Sequence, residues 1–498
     1  MPDFRTFGKD KVRDRDDGGC PYLTGVDGNP IFGEITMAEN FFHCGSLGQP
    51  AALNLLYRVE GFGRIVLGTL PLPDRSSPYC LPVELARAKL AQIEDRRNAW
   101  HKDGFVPSRI IKEDIARAGR VLVEAEQQES YSPLRCAALA EKSLSRATWA
   151  GESMAVEAAR YGMERRIADG SARSILIGAN FFGFGKSDEY NRLFEQVFNF
   201  ATLPFYWKSF EPEQNAEQWA RIDSMLDWLL PRGIKAKGHP LVWFYEPCYP
   251  AWAGHDSFEA IRKVNARRVQ NVVSRCRGRI ACWDVINEAQ DADHANVFGF
   301  ARPRLLEITA AAAEAAKAAN PDALAIINVC SPFGEYAAAK PGKWTPWEYL
   351  EACVKSNVPF DAIGVQYYYG AGWGYCRDML SVSAQLDKYA ALGKPIHVTE
   401  IGCPSSCETD FFHQLGSATV DQAGQWHGKW SETLQAEWVE RFYTICCGKP
   451  YIDAITWWDL ADYQGHFFTH AGLLHDDYTP KPAYHRLLNL VRKLGIKT

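Results

Sequence analysis

The chain has 498 residues, of which 47% are hydrophobic and 23% are charged, and its formal net charge is −5. This length suggests two or three domains, and this composition is typical of a folded protein rather than a disordered one. A small net charge without long runs of one sign argues against nucleic acid or an anionic membrane as a partner.

The N-terminus and the cysteines predict an intracellular protein. The first ten residues lack the apolar core of a signal peptide, and no later stretch has the length and apolar character of a membrane span. Fourteen cysteines in such a chain are typical of reduced thiols rather than of a disulfide framework. We therefore expect a cytoplasmic location, with secretion as the alternative if a signal sequence preceded this chain.

The first 80 residues read as a small β-rich region. Short β segments at Pro30–Thr36, Leu53–Val59 and Arg64–Leu70 are separated by glycine-rich turns. They contain no cluster of residues with catalytic spacing. We predict an accessory domain over residues 1–80 and favour a structural role for it over glycan binding.

Helical patterns replace the β segments from Leu81 onward. Apolar residues there recur at spacings of three, four or seven, and a second, longer stripe of small and apolar residues runs over 140–161. We predict a helical segment over 81–169 that packs on or links to the rest of the chain. Its apolar faces also make this N-terminal region the candidate surface for a homo-oligomer.

Residues 170–498 alternate between β-rich runs and helices. Eight such units in about 320 residues predict a (β/α)8 TIM barrel of the α/β class, preceded by the β-rich and helical N-terminal region. The helices include the Ala-rich run Arg302–Ala319 and one that begins with a capping box at Thr345 and Glu348. A doubly wound sheet is the alternative, but Gly178–Gly183 is a poor version of the phosphate-binding turn that it needs. The predicted strands are Ser174–Ala179, Phe198–Trp207, Ile234–Trp243, Ile280–Ile286, Leu324–Asn328, Ala362–Gln366, Ile396–Glu400 and Ala454–Trp458.

Two glutamates end predicted barrel strands. Glu288 closes the fourth strand in the sequence Trp-Asp-Val-Ile-Asn-Glu, and Glu400 closes the seventh. Side chains at the carboxyl ends of barrel strands share one mouth, so the two carboxyls are expected to face each other. Such a pair is typical of glycoside hydrolysis, and a retaining enzyme needs a separation of about 5–5.5 Å. The alternative is that each glutamate is a rim residue in a salt bridge.

The motifs around these glutamates resemble family 10 of the glycoside hydrolases, best known as endo-β-1,4-xylanases. The resemblance covers roughly residues 170–495 and leaves the N-terminal third unexplained. It implies a retaining double displacement with Glu288 as the acid/base and Glu400 as the nucleophile, without a metal or an organic cofactor. The matching motifs are Gly238–Trp243, Trp283–Glu288, Thr399–Glu400 and Tyr478–Tyr484.

The resemblance also implies which residues bind a carbohydrate substrate. Asn287 is expected to hold the 2-hydroxyl of the sugar, a contact that strengthens in the transition state. Residues at the ends of the second, third, sixth and eighth strands are expected to line the sugar beside the scissile bond. The predicted substrate-binding residues are Asn287, His239, Trp243, Gln366, Tyr368, Trp458, Tyr206 and Trp207.

Two departures from the family pattern bear on the substrate and on the nucleophile. The family usually carries Glu-Asn-x-x-Lys-Trp at the second strand to grip xylose units, and only the Trp remains in Thr202–Trp207. The sixth strand usually ends Gln-x-His, whereas this chain has Tyr368 at the His position and Gly402 in place of an Asp near the nucleophile. A tyrosine hydroxyl can donate directly to Glu400 and keep it ionised.

We therefore predict a retaining glycoside hydrolase that cleaves a β-linked oligosaccharide or glycoside. An endo-β-1,4-xylanase acting on polymeric xylan is the alternative, and a non-catalytic glycan-binding barrel is a further one.

The segment 401–429 shows little helical or strand pattern and is predicted to shape the pocket. Its residues Cys403, Cys407 and His413 invite a zinc site, but a fourth ligand is unassigned, so we expect no metal.

Overall fold

Two small β-sheets form in the N-terminal region of the computed structural model. One sheet has the strand order β4-β5-β1-β8, and the other contains β7, β6, β2 and β3. The predicted segment Pro30–Thr36 is divided between the two sheets, because the chain leaves β3 and crosses to β4 at Gly33. The strands are β1 (Asp3–Arg5), β2 (Tyr22–Thr24), β3 (Pro30–Ile31), β4 (Ile35–Ala38), β5 (Phe41–Cys44), β6 (Ala52–Val59), β7 (Gly63–Gly68) and β8 (Tyr79–Cys80). The described residues are 3–7, 20–38, 40–45, 47–254, 257–291, 293–408, 420, 422–463, 468 and 470–496.

Three helices follow these strands: α1 (Leu81–Lys102), α2 (Arg109–Gln128) and α3 (Pro133–Ala168). The patterns that predicted the first and third are confirmed. Helix α2 was not predicted, although its buried residues Ile111, Ala118, Leu122 and Ala125 fall at helical spacings. The 36-residue α3 lies against the barrel helices. Gly151 permits this close approach, because a Cβ there would lie 3.0 Å from Leu380 Cδ2.

The eight predicted strands close into a parallel barrel, which confirms the predicted fold. Each observed strand overlaps its predicted run. The second and third strands end earlier than predicted, at Pro204 and at His239, and Pro240 after the third lacks the N–H that a further ladder bond needs. The strands are β9 (Leu176–Asn180), β10 (Phe200–Pro204), β11 (Lys235–His239), β12 (Cys282–Asn287), β13 (Leu324–Val329), β14 (Ala362–Tyr368), β15 (Ile396–Gly402) and β17 (Ile452–Trp457), and β16 (Gln425–Trp426) lies outside the barrel.

Helices surround the barrel, and the apolar core lies between them and the strands. The Ala-rich helix has the predicted bounds, and the predicted capping box is present, with Thr345 Oγ1 accepting from the Glu348 N–H at 3.1 Å. Among the described residues, none of the helices combines the length and apolar character that crossing a bilayer requires. The helices are α4 (Asp188–Val197), α5 (Trp207–Phe210), α6 (Trp219–Leu229), α7 (Phe258–Arg275), α8 (Arg302–Ala319), α9 (Pro346–Lys355), α10 (Met379–Ala390), α11 (Glu432–Cys447) and α12 (Pro482–Lys493).

Contacts join the N-terminal region to the segment that follows β15. Strand β16, in that segment, pairs antiparallel with β7 and so extends an N-terminal sheet. Glu152 of α3 is fully buried and accepts from Arg441 Nη1 at 2.5 Å, from Trp426 Nε1 at 3.1 Å and from the Met379 N–H at 2.9 Å. His427 Nε2 lies 2.8 Å from the same carboxylate. The division into 1–80, 81–169 and 170–498 stays a prediction, and these contacts cross its boundaries.

We expect Glu152→Ala to lower the free energy of unfolding by about 3–5 kcal/mol, because it leaves the buried N–H groups of Trp426 and Met379 and the half-buried guanidinium of Arg441 without their carboxylate. Chemical denaturation followed by circular dichroism measures this change. Glu113→Ala is the matched control, since the Glu113 side chain is 62% exposed and pairs only with Arg109 at the surface. The control is expected to change stability by less than about 0.5 kcal/mol. Equal denaturation midpoints for the two variants would contradict the assigned role of Glu152.

Candidate active site

Glu288 lies directly after β12, and its carboxylate accepts two hydrogen bonds. Trp243 Nε1 donates to Oε2 at 3.1 Å, and Gln366 Nε2 donates to Oε1 at 2.8 Å. The backbone of Glu288 has a φ of 55°, in the left-handed region that side chains with a Cβ rarely adopt. Strained backbone of this kind clusters at functional sites. Burial raises the pKa of the Glu288 carboxyl, which favours its protonated form.

Glu400 lies on β15, across the mouth of the barrel from β12. Its Oε2 accepts from the Tyr368 hydroxyl at 2.7 Å, and its Oε1 accepts from Asn328 Nδ2 at 3.1 Å. Burial and then the charge of Glu288 raise the pKa of Glu400, while the Tyr368 hydrogen bond opposes the rise. Two carboxyls that interact in this way lose their protons in separate steps, so one can be ionised while the other is protonated.

Three amide side chains connect the two carboxylates. Asn328 is oriented by Thr399, whose hydroxyl donates to Asn328 Oδ1 at 2.5 Å. The Asn328 amide nitrogen therefore donates both to Glu400 and, at 2.7 Å, to Asn287 Oδ1. Gln366 Nε2, which donates to Glu288, also lies 3.4 Å from Asn287 Oδ1. The Asn287 side chain is itself hydrogen-bonded to Glu288. This network therefore fixes the orientation of Asn287 beside Glu288, with its oxygen accepting from Asn328.

Two irregularities in strand pairing bring these residues together. In β14 the register shifts between Val365 and Gln366, and Gln366 then pairs with Glu400. A second shift within β12 leaves Asn287 paired with Asn328 of β13. Bulges of this kind re-aim side chains next to active sites. The amide network therefore depends on the exact register of the barrel strands.

Aromatic rings form one wall of the site. The ring of Tyr206 lies 5.6 Å from that of His239 and 6.0 Å from that of Trp243, between ring centroids. Trp458 packs edge-on against His239 at 5.2 Å and against Phe182 at 5.2 Å. An aromatic wall with a few convergent polar groups is typical of a small-molecule pocket, and a sugar face packs well on such rings.

Trp207 differs from the other predicted site residues. Its side chain is buried among Tyr249 and Trp252, and its Nε1 donates to Glu211 Oε2 at 2.8 Å. Within the described part of the chain, no hydrogen bond or ring contact joins Trp207 to Glu288 or Glu400. The structure thus brings together nine of the ten predicted residues, and a role for Trp207 in sugar binding stays a prediction without a contact to support it.

Sequence reasoning missed the buried polar residues behind the pocket. Asp284 Oδ2 lies 2.7 Å from His239 Nδ1 and 2.8 Å from Lys237 Nζ, and all three side chains are buried. Asn328, which joins Asn287 to Glu400, was also missed. A signal was present in the sequence, because charged or amide residues inside otherwise apolar strands must have a partner in the barrel interior.

A metal site gains no support from the described residues. Across these residues no group of three or more His, Cys, Asp or Glu side chains is arranged to hold a metal ion. None of the fourteen cysteines, all of which lie in the described part of the chain, forms a disulfide, and Cys403 is fully buried. His413 lies outside the described residues, as does most of the middle of the segment 401–429, so the prediction that this segment shapes the pocket stays a prediction.

Tyr368→Phe is expected to lower kcat/KM by about 10–100-fold, because it removes a hydrogen bond to a charged group. Without that donor the pKa of Glu400 rises, so the acidic limb of the pH profile of kcat/KM moves to higher pH. Steady-state rates from pH 4 to 9 measure both changes. Tyr389→Phe is the control, since Tyr389 lies on α10 and its hydroxyl donates to the Pro332 carbonyl rather than to either glutamate. An unmoved acidic limb in Tyr368→Phe would contradict the expected role of this hydroxyl.

A TIM barrel with two hydrogen-bonded glutamates at its carboxyl end and an aromatic wall is the architecture of a glycoside hydrolase. The model of glycosyl hydrolase family 10 matches residues 175–490, and the chain belongs to this family. The resemblance seen in the sequence is thereby confirmed, and the matched part excludes the N-terminal third.

Curated relatives and solved structures agree with this assignment. The chain is 27% identical over 332 residues to endo-1,4-beta-xylanase B of Thermotoga neapolitana, which covers 64% of this chain and 87% of the relative. It is 27% identical to an endo-1,4-beta-xylanase of Geobacillus stearothermophilus, over 51% of this chain and 77% of that protein. The structure of native xylanase 10B from Thermotoga maritima aligns with a TM-score of 0.50 at 23% identity, over 66% of this chain and 98% of that one. A GH10 structure from Paenibacillus barcinonensis aligns with a TM-score of 0.51 at 19% identity, over 66% and 97%. At these identities the structural likeness concerns the fold.

Proposed function

We propose that the protein is a retaining β-glycosidase in which Glu288 is the acid/base and Glu400 is the nucleophile. The observation that carries this proposal is that both carboxylates lie in one hydrogen-bond network at the carboxyl end of the barrel, with Glu400 buried and Glu288 half-buried. A non-catalytic binding barrel has no need of two neighbouring carboxyls whose ionisation is mutually unfavourable. The cost of burying them is explained when each has a separate chemical role.

In the first step, Glu288 donates its proton to the glycosidic oxygen while the carboxylate of Glu400 attacks the anomeric carbon. The bond to the leaving oxygen breaks, the alcohol departs, and an ester bond joins the sugar to Glu400. In the second step, Glu288 accepts a proton from water as that water attacks the anomeric carbon. Glu400 leaves as a carboxylate, and the product keeps its β configuration.

The electrostatics of the pair suit this exchange of roles. In the free enzyme, the negative charge of Glu400 and burial both favour a protonated Glu288. Once Glu400 is esterified its charge is gone, so the pKa of Glu288 falls and the residue can act as a base. The hydroxyl of Tyr368 donates to Glu400 and so stabilises the charge that the carboxylate regains when the ester breaks. We assign to Asn287 the contact with the sugar hydroxyl next to the anomeric carbon.

We favour a short β-linked oligosaccharide or glycoside as the substrate. The second barrel strand supports this view, because Thr202 and Leu203 are fully buried and present no polar group to a bound chain. Tyr206 occupies the position after them and packs against His239 and Trp243. A chain of xylose units therefore has few partners at this end of the site.

Endo-1,4-β-xylanase is the second candidate, and the names of the relatives favour it. The two candidates differ in the chain length that the enzyme needs. An endo-acting enzyme is expected to prefer polymeric xylan and to release a range of oligomers. An enzyme for short substrates is expected to cleave aryl β-glycosides and xylobiose-sized substrates with higher kcat/KM.

Two measurements test the proposal. Proton NMR of the first product, recorded before mutarotation, is expected to show the β anomer, and the α anomer would overturn the retaining mechanism. Rates on 4-nitrophenyl β-xyloside, β-glucoside and β-xylobioside are then compared with rates on soluble xylan. Strong activity on xylan with none on the short glycosides would replace the favoured substrate class by the second candidate. Absence of turnover on every substrate, with sugar binding unaltered in Glu400→Gln, would favour a binding barrel.

A further inference from the structure

Lys237 is a fully buried cation inside the barrel. It lies on β11, two residues before His239, so both side chains are on the inner face of the strand. Its Nζ is 2.8 Å from Oδ2 of Asp284, which is also fully buried. Burying an ion pair costs several kcal/mol per ion before attraction repays it, and apolar replacements are often as stable. The presence of this pair directly behind the pocket therefore suggests a role beyond stability.

The pair is connected to the nucleophile. Asp284 Oδ2 also accepts from His239 Nδ1 at 2.7 Å, and His239 Nε2 lies 3.9 Å from Glu400 Oε1. Burial lowers the pKa of His239. Asp284 opposes this shift and Lys237 adds to it, and the net lowering favours the neutral imidazole at neutral pH. The positive charge in this row of side chains is thus carried by Lys237.

The ionised form of Glu400 needs a nearby positive charge to stabilise it. Burial and the carboxylate of Glu288 both disfavour its ionised form, whereas the donors that touch it, Tyr368 and Asn328, are neutral. Lys237 favours the ionised form, and this effect exceeds the opposing effect of Asp284. In a site of low effective dielectric, a cation acts over longer distances than it does in water. Other titratable groups also interact electrostatically with Glu400. They are His239 of β11, Asp284 and Glu288 around β12, Cys330 after β13, Tyr368 of β14 and Tyr206 after β10.

We propose that Lys237 is a positioning residue that keeps Glu400 ionised beside Glu288, acting across Asp284 and His239. Asp284 offsets the cost of burying the ammonium group and fixes the tautomer of His239, with Nδ1–H donating to the carboxylate. The inference rests on the proposed function, since it concerns the nucleophile of that reaction. The ammonium group of Lys237 thus acts on the nucleophile as a buried charge that does not touch the substrate.

The test follows the ionisation of Glu400 directly. Wild-type protein is first treated with 2,4-dinitrophenyl 2-deoxy-2-fluoro-β-xylobioside, and peptide mass spectrometry locates the glycosyl ester. Label on Glu400 establishes the proposed function independently, and its absence would count against that function rather than against Lys237. The labelling rate and kcat/KM are then measured from pH 4 to 9 for the wild type, Lys237→Met, Lys237→Arg and the double variant Lys237→Met with Asp284→Asn.

For Lys237→Met, the acidic limb of both profiles is expected to move up by about one pH unit, which makes the rate about tenfold lower on that limb. Lys237→Arg is expected to restore the wild-type limb, because it keeps the charge. The double variant leaves no unpaired buried charge and so remains folded even if the single variant does not. Its limb is expected to move up by a smaller amount, since the opposing Asp284 charge is also removed.

Other results would overturn the inference. A rate loss that is equal at every pH means that Lys237 has a structural role only. An acidic limb that stays in place, or moves to lower pH, in the folded variants means that another group, such as a protonated His239, keeps Glu400 ionised.

Discussion

Glu400→Gln is expected to lower kcat by at least about 10⁴-fold, because an amide oxygen cannot form the covalent glycosyl intermediate. The loss is expected for every substrate, including aryl glycosides with good leaving groups, since both chemical steps pass through the ester. The side chain keeps nearly the same shape. Its amide oxygen can accept from Asn328, and its amide nitrogen can donate to the oxygen of the Tyr368 hydroxyl. We therefore expect little change in stability.

Steady-state kinetics on 4-nitrophenyl glycosides measure this effect, and circular dichroism checks the fold. The control is Glu113→Gln, a surface substitution on α2 that is expected to retain wild-type activity. In Glu400→Ala, sodium azide should restore turnover and give the α-glycosyl azide, because the small anion attacks from the side that the carboxylate leaves free. Turnover by Glu400→Gln within tenfold of the wild type would rule out Glu400 as the nucleophile.

Glu288→Gln is expected to give a loss that depends on the leaving group. For substrates with a sugar leaving group, kcat/KM should fall by about 10²–10⁴-fold, because their oxygen needs a proton as the bond breaks. For 2,4-dinitrophenyl glycosides, which leave without protonation, kcat/KM should change little. Hydrolysis of the intermediate then becomes slow, since no base activates water, and a burst of dinitrophenol is expected.

A plot of log kcat/KM against the pKa of the leaving phenol tests this assignment. The wild type should give a shallow slope and Glu288→Gln a steep negative one, with Glu113→Gln following the wild type. Azide added to Glu288→Ala should yield the β-glycosyl azide, since it attacks the same intermediate from the face that water uses. Equal losses for good and poor leaving groups would mean that Glu288 is not the general acid.

Much of the barrel could be predicted because its signals are local. The strand that becomes β12 is a short apolar run, and the helix Arg302–Ala319 is stopped by the Asn320-Pro321 sequence. The capping box at Thr345 depends on residues three positions apart. The N-terminal region was predicted less completely: α2 was missed although its apolar residues recur at helical spacings. The crossing of the chain between two sheets at Gly33 depends on pairing with distant strands.

The candidate site could be predicted in part. The positions of Glu288 and Glu400 at strand ends followed from the order of the strands, and the side chain of Tyr368 meets Glu400 as its sequence position indicated. Asn328 was missed, because an asparagine at a strand end is common and its partners come from two other strands. Trp207 was included on its sequence position alone, and its burial beneath the rim depends on the packing of the loop near Tyr249.

The sequence by itself determined the barrel, the family and the two glutamates that face one mouth, because periodicity and motifs are properties of neighbouring residues. Only the tertiary structure decided the surroundings of these glutamates. Closing the barrel sets the register that brings Gln366 opposite Glu400, and it places Lys237 and Asp284 side by side in the interior. Burial then shifts the ionisation of every group in the site, and burial depends on contacts between residues far apart in the chain.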